Sequence, residues 1–168
     1  MKVMNYLEAL KVLMPILEKY DFTWVITGGF AVIAYGIERS LSDIDIDIKC
    51  SKDDQKFKDF VEELKPYTTQ ELIHWTDENY DNYNFEITIS GQLIDICPMH
   101  EMKVINTASG IYQPFYNEDF SEIETVEFQD LRLPLLSKRL IIKNKQMLVI
   151  QRDIDRQDIA ALQTMLAK

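Results

Sequence analysis

Residues 24–50 read WVITGGFAVIAYGIERSLSDIDIDIKC, and the end of this stretch carries the strongest signal in the chain. There, Asp43, Asp45 and Asp47 alternate with single isoleucines. On a β-strand, alternate side chains point to the same face, so the three carboxylates share one face. Like charges on one face repel each other, and a divalent cation with oxygen ligands would remove that repulsion. An edge strand with a solvated acidic face is the structural alternative.

A pair of glycines precedes the aspartates. WVITGG is typical of a short apolar strand that ends in Gly28 and Gly29, and FAVIAYG is typical of a short helix that ends at Gly36. Glycines between a strand and a helix let backbone N–H groups approach a phosphate. Thirteen residues, 30–42, separate the glycine pair from the aspartate strand. A phosphate site beside a metal site indicates an enzyme that handles nucleotides.

This arrangement resembles the nucleotidyltransferase superfamily, the group related to DNA polymerase β. The resemblance rests on GGFAVIAYGIERSLSDIDI, which combines a Gly-Gly turn with Asp-x-Asp between apolar residues. The superfamily uses a third carboxylate on a later strand, and GQLIDICP supplies Asp95 between two isoleucines. The chain is most similar to small bacterial members, namely antibiotic nucleotidyltransferases and the nucleotidyltransferase-like toxins of toxin–antitoxin and abortive-infection systems.

The resemblance implies an α/β (α+β) nucleotidyltransferase fold, which is a mixed β-sheet with flanking helices and a C-terminal helical segment. It also implies that Asp43, Asp45 and Asp95 are catalytic and bind two Mg²⁺ or Mn²⁺ ions together with the triphosphate. Asp43 and Asp45 are preferred as the Asp-x-Asp pair because they lie nearest the loop end of the strand. Asp47 would lie deeper on the same face, as a solvated residue or a supporting group. Asp95 would also accept the proton of the acceptor hydroxyl.

The implied reaction is transfer of a nucleoside monophosphate from an NTP, such as ATP, to a hydroxyl group of an acceptor. The acceptor is left open between a small molecule, a protein and a tRNA end. Late in the chain, LLSKRL and RQDIAAL match a lysine and an R--D helix of similar enzymes. The residues expected to bind the nucleotide are Gly28, Gly29, Arg39, Ser42, Lys138 and Arg156. Each of the three cationic residues has the alternative role of an ordinary surface charge.

The length of 168 residues predicts a single nucleotidyltransferase-like domain over residues 1–168. Its parts are a core over about 22–100, an N-terminal helix over 3–20 and a C-terminal extension over 102–168.

The sequence also predicts the elements within these parts. SKDDQKFKDFVEELKPY indicates a helix with Ser51 as its N-cap, and FEITISGQLIDICP indicates a hairpin that turns at Ser90-Gly91. From about 102 to 135 the pattern looks irregular and aromatic. Within and beyond it, VEFQDLRLPLLSKRL is expected to be a strand or extended segment that enters a helix near Pro134, and the last helix is expected over 152–166.

The charge distribution bears on the acceptor. The formal net charge is −10 and the chain has no basic run. Segment 51–101 holds twelve acidic residues and four lysines, whereas segment 136–168 holds seven basic and three acidic residues. Because nucleic-acid affinity comes largely from Lys and Arg contacts to phosphates, nucleic acid is expected only as a tRNA acceptor. An acidic surface suits a cationic acceptor such as an aminoglycoside, or a partner protein with basic patches.

Features that are missing from the sequence lead to expectations about the location of the protein and about its partners. No stretch has the ~20 apolar residues of a membrane span, and no secretion signal is visible, so a cytoplasmic protein without membrane contact is expected. Its two cysteines, Cys50 and Cys97, would then be reduced thiols. A homodimer or a small antitoxin-like partner would complete the acceptor site of so short an enzyme.

Two alternatives to an active enzyme stay open at this point. One is a catalytically idle nucleotidyltransferase fold that binds a nucleotide or a partner as a regulator, as in a toxin–antitoxin system. The other is an acidic calcium-binding α/β module, which would bind metal without preferring a nucleotide. The spacing between the glycine pair and the aspartates disfavours the second alternative.

Overall fold

The computed structural model of the protein describes residues 5–115 and 118–168. In these ranges there are five α-helices and nine β-strands. The helices are α1 (Tyr6–Lys19), α2 (Gly28–Ala34), α3 (Gln55–Glu63), α4 (Lys138–Met147) and α5 (Asp153–Leu166). The strands are β1 (Trp24–Thr27), β2 (Asp43–Ile48), β3 (Thr68–Thr76), β4 (Tyr80–Ile89), β5 (Gln92–Pro98), β6 (Lys103–Asn106), β7 (Ile111–Pro114), β8 (Ile123–Phe128) and β9 (Leu131–Leu136).

All nine strands belong to one mixed sheet. Its order is β7-β6-β4-β5-β2-β1-β9-β8, and β3 pairs with β4 outside this path. At the centre, β2 lies parallel to β5 and antiparallel to β1. The predicted mixed sheet with flanking helices and a C-terminal helical segment is therefore confirmed.

The alternating pattern of β2 divides the sheet into an apolar face and an acidic face. Ile44, Ile46 and Ile48 are completely buried in the main core, together with Leu10 and Leu13 of α1. Burying a side chain of this size stabilises the fold by about 1.5–3 kcal/mol. The isoleucines therefore fix the strand against the helices and hold its aspartates on the opposite face.

A tight hairpin joins β4 to β5 and sets their register. Ser90 and Gly91 have φ values of 52° and 78°, and two successive residues with positive φ are typical of a two-residue hairpin turn. The turn lies where the sequence predicted it. Its register places Glu86 of β4 opposite Asp95 of β5.

Two helix boundaries differ from the prediction. The helix expected over 3–20 is α1, Tyr6–Lys19, and residues 3 and 4 lie outside the described residues. The helix expected to begin at Ser51 is α3, which follows Asp54 as its N-cap. The Asp54 carboxylate instead accepts a hydrogen bond of 2.9 Å from the backbone N–H of Ser51, so the preceding residues form a turn.

The prediction of an irregular pattern was wrong for residues 102–125, which contain β6, β7 and the start of β8, whereas the strand or extended segment expected from residue 126 corresponds to the end of β8 and to β9. Pro134 lies inside β9, and α4 begins four residues later, after Ser137, whose Oγ accepts a hydrogen bond from the Leu140 N–H. Strand β3 was also missed. β3, β7 and β8 expose much of both faces, so they lack the buried apolar period that marks a strand in sequence. In the described part of the chain, no helix is long and apolar enough to cross a membrane.

Candidate active site

A row of polar side chains crosses five strands on the acidic face of the sheet. The register places Thr27 of β1 opposite Asp45 of β2, and Asp45 opposite Asp95 of β5. The row continues through Glu86 of β4 to Gln70 of β3. All five residues line one cavity of about 690 Å³. A cavity of this size matches the range typical of small-molecule sites.

Asp45 is held in an electrostatic environment that disfavours its charge. Burial, together with the nearby carboxylates of Asp43 and Asp95, raises the pKa of Asp45 from its usual 3.8 to about 7. Lys145 and Arg152 act in the opposite direction but do not offset these effects. A carboxylate left this poorly compensated is a site for a cation.

Asp95 shares this environment and has a free oxygen. Burial and the Asp43 charge raise the pKa of Asp95 to about 6, with a smaller contribution from Glu86. A hydrogen bond from the Asn84 side chain favours the charged form and partly opposes this shift. Among the residues that the structure describes, the buried Oδ1 atom of Asp95 has no hydrogen-bond partner, and buried polar atoms are normally paired. This oxygen is therefore available to a ligand.

The donor set fits a hard divalent cation. Mg²⁺ and Mn²⁺ prefer carboxylate oxygens, and Asp43 lies close enough to raise the pKa values of both Asp45 and Asp95. Across the described ranges, no group of three Asp, Glu, His or Cys side chains already surrounds a single metal position. The chemistry of the ligands thus fits, and their final geometry would form around the bound ion.

The glycine pair gives space to two charged side chains. Gly28 has a φ of 60°, and a Cβ atom at this position would overlap Oδ2 of Asp45. At Gly29, a Cβ atom would lie 2.8 Å from the Cζ atom of Arg39. Any larger residue would therefore displace the Asp45 carboxylate or the Arg39 guanidinium. The two glycines shape the site by letting the backbone approach these groups closely.

A family model describes this arrangement of sheet and helices. The model of the aminoglycoside-2''-adenylyltransferase family matches residues 9–162. The chain belongs to the aminoglycoside-2''-adenylyltransferase family. The expected nucleotidyltransferase superfamily and enzyme class are thereby confirmed. A search among curated proteins finds no match.

Solved nucleotidyltransferase structures share the fold of this adenylyltransferase family member. A candidate nucleotidyltransferase from Thermotoga maritima matches with a TM-score of 0.69 and 18% identity, over 97% of this chain and 93% of its own. ANT(2'')-Ia in complex with adenylyl-2''-tobramycin matches with a TM-score of 0.57 and 16% identity, over 96% and 90%. A nucleotidyltransferase-like antigen from Paracoccidioides brasiliensis gives 0.56 and 15%, over 94% and 74%.

Two of the predicted nucleotide-binding residues of this family member, Arg39 and Ser42, lie outside the cavity. Arg39 donates a hydrogen bond from Nη1 to Asp158 in a nearly buried ion pair, and its guanidinium packs on Gly29. Ser42 donates a hydrogen bond of 2.8 Å from Oγ to Asp43. Neither Arg39 nor Ser42 lines the cavity, whereas Gly28 does. Arg39 and Ser42 therefore contact residues of the site from outside it.

The other two predicted cations are paired elsewhere. The Nζ atom of Lys138 lies 3.1 Å from Glu124 and 4.0 Å from the ring centroid of Tyr35. Arg156 forms an exposed ion pair with Asp153, one turn away on α5. Neither cation lines the cavity. The structure does not bring them to the carboxylates.

Instead, the cavity of the adenylyltransferase family member is lined by two cations that the sequence did not single out, Lys145 near the end of α4 and Arg152 just before α5. Both act on the Asp45 charge, which places them near the carboxylates. The R--D pattern used for the prediction pointed to helix α5 and, within it, to Arg156, which does not line the cavity. Arg156 and Asp158 are two positions apart, whereas Arg152 and Asp155 are three positions apart, which is the spacing of R--D, so Arg152 was the available signal.

Asp47 is buried and bonded to a residue that the sequence analysis did not consider. Its carboxyl group shares a hydrogen bond with Asp119, and burial together with this bond raises the pKa of Asp47 well above its usual range. The Nδ2 atom of Asn144 donates a hydrogen bond of 2.8 Å to Asp119. All three residues line the cavity. Asp47 is therefore part of the cavity wall and not a solvated strand residue.

Proposed function

We propose that this protein transfers a nucleoside monophosphate from an NTP, with ATP as the first candidate, to a hydroxyl group of a small cationic acceptor, with release of pyrophosphate. The proposal rests chiefly on the register of Asp45 opposite Asp95, on neighbouring strands in the wall of the cavity. Both carboxyls have raised pKa values and little compensation from cations. Such a pair is suited to metal-assisted transfer of a phosphoryl group.

Asp43, Asp45 and Asp95 would hold the divalent cation, Mg²⁺ or Mn²⁺. A bound divalent cation neutralises charge on the triphosphate and lowers the pKa of a hydroxyl group that binds to it. Asp95 would in addition accept the proton of the acceptor hydroxyl. A general base works best when its pKa lies near the working pH, and the pKa of Asp95 is raised to about 6.

The triphosphate would lie at the β1–α2 end of the row, where Gly28 brings its backbone against Asp45. Gly29, Arg39 and Ser42 would support this end without facing the cavity. Lys138 and Arg156 stay predictions of phosphate contacts, but their ion pairs with Glu124 and Asp153 do not favour them.

The acceptor would lie at the other end of the row, beyond Asp95. Carboxylate and amide groups dominate that end, and they include Gln70, Asp77, Glu78, Asn79, Asn84 and Glu86. Trp75 of β3 also lines the cavity and is 43% exposed. An acidic wall with an exposed aromatic ring suits an acceptor that carries amino groups on a ring. An aminoglycoside has this chemistry, and the family name and the tobramycin product bound to ANT(2'')-Ia support it.

The first test measures thermal stabilisation by each of the four common NTPs, with and without Mg²⁺ or Mn²⁺. The matched variant is Asp43→Asn/Asp45→Asn. A ligand that binds only the folded state raises its stability by mass action. We expect one NTP to stabilise the wild type only in the presence of metal, and the double variant to lose this effect.

The second test follows the α-³²P label of that NTP into an acceptor. The panel contains tobramycin and other aminoglycosides, total tRNA and a protein lysate. Label on an aminoglycoside supports the proposal, whereas label on tRNA or protein rejects the cationic small molecule. If no NTP stabilises the wild type, the active-enzyme proposal fails and the idle fold becomes the better interpretation.

A further inference from the structure

Helix α5 carries two buried carboxylates, one turn apart, that the proposed reaction does not use. Asp155 is 0% exposed and Asp158 is 1% exposed. Buried carboxylates are costly unless cations and hydrogen bonds compensate them. In this molecule the compensating cations, Lys145, Arg152 and Arg39, come from three separate segments. Two of them, Lys145 and Arg152, also line the cavity.

Asp155 binds both cations that line the cavity. Its Oδ1 atom accepts hydrogen bonds of 2.7 Å from Nζ of Lys145 and 3.1 Å from Nη2 of Arg152, and its Oδ2 atom accepts one of 2.9 Å from Nε of Arg152. The backbone N–H of Arg152 donates a further bond of 3.1 Å. Burial would raise the pKa of Asp155, but these contacts outweigh it and hold that pKa below its usual range.

Asp158 extends the same network to the glycine pair. It lies 3.0 Å from Nζ of Lys145 and accepts a hydrogen bond from Nη1 of Arg39. The Arg39 guanidinium in turn packs on Gly29. The buried helix face therefore connects the turn after β1, the end of α4 and the start of α5.

Both cavity cations keep donors free for an anion. Lys145 forms ion pairs with Asp155 and Asp158, and among the described residues it forms none with Asp45. Arg152 uses Nε and Nη2 on Asp155, and its Nη1 atom has no hydrogen-bond partner within the described ranges. The side chain of Arg152 is 70% exposed. A forked guanidinium with one free nitrogen is suited to a phosphate oxygen.

We propose that Asp155 is a positioning residue that holds Arg152 and Lys145 for the phosphate groups of the nucleotide. By binding both cations, Asp155 keeps them beside Asp45 without letting them neutralise it, so the carboxylates stay available to a metal ion. Asp155 itself touches no substrate. This inference rests on the proposed function, since it assigns the phosphate end of that same site.

Binding of nucleotide, and not turnover, gives the most direct test. Isothermal titration calorimetry would measure the Kd of ATP with Mg²⁺ and, separately, of inorganic tripolyphosphate with Mg²⁺. The variants are Asp155→Asn, Arg152→Gln and the combination of both. Asp153→Asn is the matched control, because it makes the same change on the same helix at an exposed position whose one ion pair, within residues 5–115 and 118–168, is with Arg156.

We expect Arg152→Gln and Asp155→Asn each to raise both Kd values about tenfold, because the first removes a charge-assisted contact to phosphate and the second releases the guanidinium that makes this contact. Asp153→Asn should change them less than about twofold. Asp155→Asn should cost much less in the Arg152→Gln background than in the wild type, because it acts through Arg152. A general structural role of Asp155 would instead give equal losses in both backgrounds.

Each outcome separates the two proposals. If the wild type binds neither ATP nor any other of the four NTPs with Mg²⁺, the proposed function fails and this inference fails with it. If the wild type binds ATP and Asp155→Asn binds it equally well, or if the two substitutions are fully additive, only the positioning role is overturned. If Asp155→Asn is too unstable to measure, an unchanged Kd in Arg152→Gln, whose altered side chain is exposed, also overturns the inference.

Discussion

Two groups of carboxylates lie beside the same cavity, and the protein compensates only one of them. On α5, Asp155 and Asp158 are buried but bind Lys145, Arg152 and Arg39, which forms a closed network of ion pairs. On the sheet, Asp43, Asp45 and Asp95 lie near one another, and no ion pair within 4 Å joins them to a cation of the described residues. The pKa values show the contrast, because that of Asp155 is lowered, whereas those of Asp45 and Asp95 are raised to about 7 and about 6.

The carboxylates of α5 stabilise the fold through their ion pairs, whereas the carboxylates of the sheet are available to bind a ligand. A paired buried carboxylate resists substitution because its partners would be left uncompensated. An unpaired cluster costs stability, and proteins accept such costs mainly at functional sites. Conservative Asp→Asn substitutions should therefore have opposite effects on stability at the two places. This contrast leads to four predictions, which are given in order of decreasing expected effect.

The largest effect is expected on catalysis. Asp45→Asn should lower the rate of nucleotide transfer by about 10³-fold or more, which corresponds to about 4 kcal/mol of transition-state stabilisation. The substitution keeps the shape of the side chain but removes a metal ligand and a charge. The measurement is transfer of label from α-³²P-NTP to the acceptor found for the wild type. A variant that keeps a tenth of the wild-type activity would exclude Asp45 as a metal ligand.

The next effect is on stability. Asp158→Asn should lower the free energy of unfolding by about 3 kcal/mol, because Lys145 and Arg39 lose a buried partner. Denaturation by urea at pH 8, with EDTA present, would measure it. Asp153→Asn is the control at an exposed ion pair, with an expected change below about 0.5 kcal/mol. Equal changes in the two variants would show that burial of the α5 network contributes nothing.

The third prediction concerns pH. Because the pKa of Asp45 is about 7 in the folded protein against a usual 3.8, the folded state binds more protons than the unfolded state between these values. The stability of the metal-free protein then falls as pH rises through this window. Asp45→Asn removes this contribution. The difference in the free energy of unfolding, variant minus wild type, should therefore increase by on the order of 2 kcal/mol between pH 5 and pH 8.

Urea denaturation at several pH values, with EDTA present, would test this gain. Groups that do not interact with Asp45 cancel when the variant is compared with the wild type at each pH, so the difference reports Asp45 and the carboxyl groups coupled to it, such as Asp47. Addition of Mg²⁺ at pH 8 should restore stability to the wild type and not to the variant. A difference that stays constant from pH 5 to pH 8 would contradict the raised pKa of Asp45.

The sequence predicted the parts of this contrast that depend on local pattern. Alternation alone placed Asp43 and Asp45 on one face, and the Ser90-Gly91 turn placed Asp95 on one strand of a hairpin. The role of Asp95 as the third carboxylate came from the resemblance to nucleotidyltransferases. The pairing of β5 with β2, which brings Asp95 opposite Asp45, joins distant parts of the chain and was not predicted, because short-range periodicity does not express it.

The missed parts depend on contacts that sequence pattern does not express. Strand β3 is mostly exposed, so its side chains carry no buried period. Asp47 was expected to be solvated because its partner, Asp119, lies 72 positions away on a segment thought to be irregular. Lys145 and Arg152 face the cavity because Asp155 of the next helix orients them. Such pairings arise from tertiary packing. Packing, and not local sequence pattern, determines which of several cationic side chains face the cavity.

The smallest effect tests that choice between cations. Lys138→Ala and Arg156→Ala should each change the Kd of ATP with Mg²⁺ less than about twofold, since both side chains pair with carboxylates away from the cavity. Arg152→Gln, measured in the same calorimetric series, should give the larger change expected above. If Lys138→Ala or Arg156→Ala weakens ATP binding as much as Arg152→Gln, the phosphate end of the site extends beyond the cavity. The motif-based assignment of these two residues would then be correct, and α5 would contribute through its exposed face as well.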